Sequence, residues 1–285
     1  MILVLFAGCN QDTGSNQTVS QQTSSAAYIE NKGSDTMVNL ALAWAERYQE
    51  IHPGMRLSVT GGGSGTGLAA LINGTVDLAN ASRAIKSEEM KLASEKGHQT
   101  QEFIVAKDAI AIIVNPENPI NELTLQQLSM IYRGEINNWS EIGGEDRPIV
   151  RLSRETNSGT HVYFLETVIR LSDDNDKTIF SADTLLLPSS EGIISEVRDN
   201  PNAIGYDGLG YIVPEVKMLS IARDASGPYI QPSAETVISG IYPIARDLYI
   251  YTQGIPSGAV LDYLNWILSA EAQEIVSELG FVPVN

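Results

Sequence analysis

Cysteine is almost absent. The chain has one, Cys9, so no internal disulfide and no cysteine-rich metal centre can form. Histidine is nearly as scarce. His52, His98 and His161 stand apart, without the spacing of metal ligands, and no metal site is expected. Basic residues are outnumbered, 18 Lys and Arg against 35 Asp and Glu, for a formal net charge of −17. That sign excludes nucleic acid or an anionic membrane as a partner held by bulk attraction. A bound anion must instead be held by local donors against a repulsive field. No apolar run approaches the ~18 residues of a membrane span.

Catalytic groupings are missing too. The glycine run "GGGSGTG" lacks the Gly-Lys-Ser/Thr ending of a phosphate loop, and it gives no Gly-x-Ser-x-Gly frame with a partner base. No loop offers paired carboxylates. Nothing is placed to move a proton or attack phosphorus, so no enzyme activity and no cofactor are expected.

What is present is ordinary for a soluble protein: 285 residues, 43% apolar and 19% charged. That length can build one large domain or two of common size. The start, "MILVLFAGCN", is apolar up to small residues and resembles the end of a bacterial lipoprotein signal, with Ala7-Gly8-Cys9 as the cleavage and lipidation site. Two features depart from that pattern: no basic residue precedes Cys9, and Phe6 stands where leucine is usual. Residues 1–9 are therefore assigned as a signal remnant. The segment 10–27, rich in Gln, Ser, Thr and Asn, cannot offset its ordering entropy by burial and is expected to be a flexible tether. A lipid on Cys9 would hold the working domain at a membrane surface, outside the cytoplasm.

From Tyr28 the pattern alternates between strands and helices, which argues an α/β fold with parallel or mixed sheets. Met37, Leu40, Ala41, Trp44 and Tyr48 recur at helical spacing before "HPG". "QEFIVAKDAIAIIVN" reads as strand, turn, strand. "NPENPINELT" carries two prolines and reads as a crossover between lobes. Val162, Leu165, Val168 and Ile169 form one helical stripe, and Leu261, Leu264, Ile267 and Leu268 another. Two crossings imply lobe I from 28–114 plus 242–285, lobe II from 115–241, and a ligand cleft between them.

Four loops at strand-to-helix junctions share one property: each is rich in hydroxyls, glycine or arginine. They are "KGSDTM" with Ser34, Asp35 and Thr36; "GGGSGTG" with Ser64 and Thr66; "ASRAI" with Ser82 and Arg83; and "RETNSGT" with Arg154, Ser158, Gly159 and Thr160. Each alone could be capping and turn chemistry. Together they offer amides, hydroxyls and guanidinium forks, the donor set for a small oxyanion held without a metal.

These motifs, with "VDLANASRAI", "AIGYDGLGY" and "YPIARDLYIY", follow the order seen in periplasmic phosphate-binding proteins of ABC transporters, which this chain resembles from about Tyr28 to its end. The resemblance implies a two-lobed type II solute-binding protein: α/β, two mixed sheets, and a ligand cleft between the lobes. It implies a monomer that closes on inorganic phosphate and passes it to permease subunits. The ligand contacts it implies are Ser34, Asp35, Thr36, Ser64, Ser82, Arg83, Arg154, Ser158, Gly159 and Thr160, with Arg83 alternatively pairing lobe to lobe. Many members carry an aspartate in the third loop that accepts the phosphate proton, where this chain has Arg83. Asp35 is the nearest substitute in sequence, with helix capping as its other reading. Sulfate, molybdate or tungstate, a phosphohydrolase activity and a sensory role stay open as alternatives.

Overall fold

A computed structural model describes residues 27–284. Cys9 and the tether up to residue 26 lie outside the described residues. Ala27, the last residue assigned to the tether, already belongs to the first strand.

In chain order the strands and helices are β1 (Ala27–Gly33), α1 (Val38–Ile51), β2 (Met55–Thr60), α2 (Ser64–Ile72), β3 (Leu78–Ala81), α3 (Ser87–Glu95) and β4 (Thr100–Val114). Next come β5 (Glu122–Thr124), α4 (Leu125–Arg133), β6 (Val150–Arg154), α5 (Gly159–Phe164), β7 (Leu185–Leu187), α6 (Ser190–Asp199) and β8 (Ala203–Gly208). The chain ends with β9 (Lys217–Met218), β10 (Ser220–Ala222), α7 (Ala234–Ile238), β11 (Ala245–Gln253), α8 (Gly258–Ile267) and α9 (Ala270–Glu278).

The strands follow the order β2-β1-β3-β11-β4-β8-β6-β7, with β9 also on β4 and a separate β5–β10 pair. β1, β2 and β3 are parallel, whereas β11 is antiparallel to β3 and β4. On the far side β8 is antiparallel to β4, and β6 is parallel to both β7 and β8. The two mixed sheets therefore meet along one long strand. β4 pairs with β11 through Ala109 and with β8 from Ile110 onward. This is the two-lobed type II arrangement, with the lobes joined through β4 and β11.

The expected turn inside "QEFIVAKDAIAIIVN" does not exist: Thr100–Val114 is one uninterrupted strand. Lys107 and Asp108 mimic a turn in sequence. Asp108 is instead fully buried and opposite Arg246 in the β4–β11 register, so its charge is neutralised across the ladder and the strand runs on.

The α1 stripe is borne out. Met37, Leu40, Ala41, Trp44 and Tyr48 are all buried, and Trp44 Nε1 donates to the Ala272 carbonyl at 2.9 Å. Burying an indole with its N–H satisfied adds several kcal/mol of apolar burial, on the order of 25 cal/mol per Å². Val162, Val168 and Ile169 are buried, and Leu165 packs against the core cluster that holds Val168 and Ile169, on a helix that continues past α5 as a π-turn, Leu165–Ile169. On α8 the buried face is Tyr263, Leu264 and Ile267, while Leu261 is 37% exposed. The stripe is rotated because the Tyr263 ring packs on Tyr48, with centroids 4.8 Å apart.

Candidate functional site

The loops after β1, β2 and β3 converge on the segment from β6 into α5. The first begins where Ser34 N donates to the Asn80 carbonyl at 2.9 Å, fixing the exit of β1 against the end of β3. None of the expected side-chain caps forms there, and the turn Asp35–Met37 is a short 3-10 helix. Its hydroxyl is used across the cleft instead: Thr36 Oγ1 lies 2.8 Å from Thr160 Oγ1.

In the second loop the helix starts earlier than the glycine run suggests. Gly63 precedes α2 with φ of 88°, a conformation that glycine adopts without strain, and Ser64 opens the first turn. Ser64 Oγ accepts from Ser82 N at 3.0 Å, so the second and third loops are stitched together. Gly159 slots against that pair. A Cβ added there would sit 2.3 Å from Ser64 Oγ and 2.6 Å from Ser82 Oγ, so only glycine allows the approach. Two further hydrogen bonds cross the cleft at its edge, Gly65 N to the Asn157 carbonyl and Asn157 Nδ2 to the Gly62 carbonyl, both at 3.0 Å.

All ten residues proposed from sequence thus lie in one place. Ser34, Thr36, Ser64, Ser82, Arg83, Arg154, Ser158, Gly159 and Thr160 are buried, and Asp35 is partly exposed. Both Asp35 oxygens are engaged: Oδ1 accepts from Gly62 N and Oδ2 from Arg154 Nη2, each at 2.8 Å. Asp35 neither caps a helix nor carries a free oxygen. It bridges the lobes. Ser158 does cap, accepting from the Thr160 and His161 amides, which leaves its hydroxyl proton to donate.

The two guanidinium groups are held differently. Arg83 is gripped by Glu89 in a fork, Nη1 to Oε2 at 2.8 Å and Nη2 to Oε1 at 2.7 Å. The alternative of a lobe-to-lobe pair for Arg83 is thereby corrected: its carboxylate comes from α3, six residues on. Burial pushes the Glu89 carboxyl up, but the Arg83 hydrogen bonds and charge outweigh it and the net shift is downward. Arg154 donates Nη1 to Ser190 Oγ at 2.9 Å and Nη2 to Asp35 and to the Pro188 carbonyl. The Nε of Arg83 and of Arg154 is buried with no acceptor. A buried N–H without a partner is costly, and a charged one more so.

Sequence reasoning missed the residues behind this cluster. Ser190 Oγ donates to Asp207 Oδ1 at 2.9 Å, and Gly208 N donates to the same oxygen at 2.8 Å. Asp207 Oδ2 is buried and unpartnered. Complete burial pushes this carboxyl up to about 6, against the lowering charge of Arg154. Asp108 likewise is raised by burial, with Arg246 pulling it down. Arg246 reaches Asp108 Oδ2 through Nε at 3.2 Å and Nη2 at 2.8 Å, and its Nη1 donates to the Ser82 carbonyl at 2.9 Å, tying β11 to the third loop. A signal existed: Asp207 is a lone charge inside an apolar strand run, and Asp108 and Arg246 each stand in such a run beside a single opposite charge, Lys107 and Asp247.

His161 sits behind Arg154. Its Nδ1 lies 2.9 Å from the Arg154 carbonyl, which can only accept, so Nδ1 is the donor. Burial pushes the imidazole down to about 4, so it is neutral at physiological pH. Ser153 Oγ lies 3.0 Å from the same Nδ1, which carries the proton and so cannot take one from that hydroxyl. The arrangement gathers O–H and N–H donors and two cations, the requirements for holding a tetrahedral oxyanion. Among the described residues no group of His, Cys, Asp and Glu could hold a metal ion, and no helix is long and apolar enough to cross a membrane.

Comparison with known proteins points the same way. A family model described as PBP superfamily domain matches residues 18–271. The phosphate-binding protein PstS of Pseudomonas aeruginosa is 30% identical over 273 residues, covering 90% of this chain and 83% of that one. PstS of Bacillus subtilis is 29% identical over 282 residues, covering 98% and 87%. Among solved structures, a phosphate ABC transporter substrate-binding protein from Clostridium perfringens with bound phosphate superposes with a TM-score of 0.81 at 29% identity, covering 90% of this chain and 100% of that one. An ABC-type phosphate transport receptor from Vibrio cholerae gives 0.72 at 26% identity, covering 90% and 100%.

Proposed function

The chain belongs to the PBP superfamily and is a PstS-like phosphate-binding protein, and on that premise we propose that it holds inorganic phosphate in the cleft between its lobes for delivery to an ABC importer permease. The observation that carries the site assignment is the pair of buried, acceptor-less Nε–H groups of Arg83 and Arg154 amid hydroxyls from both lobes. An oxyanion supplies the missing acceptors.

In this reading Thr36, Ser64, Ser82, Ser158 and Thr160 donate hydroxyl protons, with the Ser34 hydroxyl and the amides of Asp35 and Gly159 beside them. Arg83 and Arg154 supply charge. Asp35 bridges the closed lobes through Arg154. Lobe I is 28–114 plus 242–285 and lobe II is 115–241. The lobes move about β4 and β11, because the ligand meets both sets of donors only when they close. The protein binds and releases phosphate without chemistry. It works as a monomer outside the cytoplasm, tethered by a lipid on Cys9.

Calorimetric titration of the purified chain with phosphate, sulfate, molybdate and tungstate is the test. One phosphate per chain should bind, more tightly than the other anions. Arg154→Ala should weaken phosphate binding tenfold to about 150-fold, since a hydrogen bond to a buried charged group is worth ~1.5–3 kcal/mol. Unchanged affinity in a folded Arg154→Ala chain removes Arg154 from the site. Turnover of a phosphate monoester, with or without divalent metal, would overturn the non-enzymatic reading.

A further inference from the structure

Directly behind the Arg154 segment is a separate cavity of about 480 Å³, within the size range of small-molecule sites. Its walls are apolar, formed by Val162, Leu165, Phe180 and Leu186. Of the polar residues that line it, three matter here: His161, Thr184 and Lys86. His161 is only 7% exposed and its ring stacks on Phe180, with centroids 4.4 Å apart. Because its Nδ1 proton is committed to the Arg154 carbonyl, its Nε2 presents a lone pair, and that atom has no protein partner. Thr184 Oγ1, on the same wall, is buried without a partner. Lys86 lines the rim from the opposite lobe; its charge is felt by Glu89, but it closes no salt bridge within 4 Å among the described residues.

We propose that this cavity is a second ligand site, for a small aromatic carboxylate bearing a hydroxyl. The ring lies on Phe180 and the aliphatic walls, the hydroxyl donates to His161 Nε2, and the carboxylate meets Lys86. Each element answers a feature of the wall: apolar area, an acceptor without a protein partner, and a cation that closes no salt bridge, in a chain whose net charge is −17. The ligand does not touch the phosphate donors. It does touch the imidazole that holds the Arg154 carbonyl, and it joins Lys86 of one lobe to the other lobe. Its occupancy therefore favours closure, and phosphate and the carboxylate tighten each other's binding by the same factor. That coupling rests on the phosphate reading above, whereas binding in the cavity does not.

The test uses 4-hydroxyphenylacetate, phenylacetate and p-cresol, titrated by calorimetry with and without saturating phosphate. 4-Hydroxyphenylacetate should bind one per chain, at least threefold more tightly than either analogue. Lys86→Glu should weaken it severalfold and leave p-cresol unchanged. Ala182→Trp, which fills the cavity from an exposed wall position, should abolish binding while phosphate affinity stays intact. No saturable binding of 4-hydroxyphenylacetate at several millimolar overturns the site, as does binding that survives Ala182→Trp. Binding whose affinity is identical with and without phosphate overturns the coupling alone. A chain that binds 4-hydroxyphenylacetate but not phosphate keeps the cavity and sinks the phosphate reading.

Discussion

Asp207→Asn gives the sharpest test of the electrostatics behind the site. Asp207 is completely buried, with Ser190 Oγ and Gly208 N on one oxygen and nothing on the other. Burial raises its carboxyl from 3.8 to about 6, Arg154 works against that rise, and Asp108 adds to it. At 1.36 kcal/mol per pH unit, the difference between the folded and unfolded values amounts to ~3 kcal/mol. Between those two values the folded chain holds a proton that the unfolded chain has lost, so stability falls as pH rises through the interval. The contribution of Asp207 is fully present below about 4 and gone above about 6. The asparagine variant has no charge to bury and lacks this term. Urea unfolding of both chains, free of phosphate, at pH 4, 5, 6 and 7.5 isolates it, because every other carboxylate is common to the two. The variant should gain on the wild type by up to ~3 kcal/mol across that interval. A difference that stays flat from pH 4 to 7.5 would refute the reasoning.

Three further expectations follow from the geometry. Arg246→Ala strands the fully buried Asp108 and should cost ~3–5 kcal/mol in urea unfolding, whereas Asp108→Leu with Arg246→Met should recover most of that loss. Asn157→Ala removes the one side-chain hydrogen bond at the cleft edge, Nδ2 to the Gly62 carbonyl, without touching the donors, and should speed phosphate release about fivefold in stopped-flow, the equivalent of ~1 kcal/mol; an unchanged off-rate would show that the lip carries no load. Asp35→Asn breaks the interlobe ion pair and should weaken phosphate and sulfate binding alike. A loss confined to phosphate would instead make Asp35 the acceptor of the ligand's proton.

The sequence by itself determined the alternation of strands and helices, the buried stripe of α1, and the hydroxyl-, glycine- and arginine-rich make-up of the four loops. These features are local: periodicity, glycine and hydroxyl content are written in neighbouring positions. It misread Lys107–Asp108 as a turn, rotated the α8 stripe onto Leu261, and passed over Ser190, Asp207 and Arg246. Each of those errors concerns a residue whose partner lies far along the chain. Whether a charge in an apolar run breaks a strand or lies buried within it depends on what sits opposite, and Arg246 is opposite Asp108 only because β11 returns beside β4. The same holds at the ligand loops. Sequence could say that Arg154 was suited to an anion and Asp35 to a ligand's proton, but only the closed lobes pair the two with each other, and only the fold buries the Arg83 and Arg154 Nε–H groups without an acceptor, since burial and convergence are properties of the packed whole.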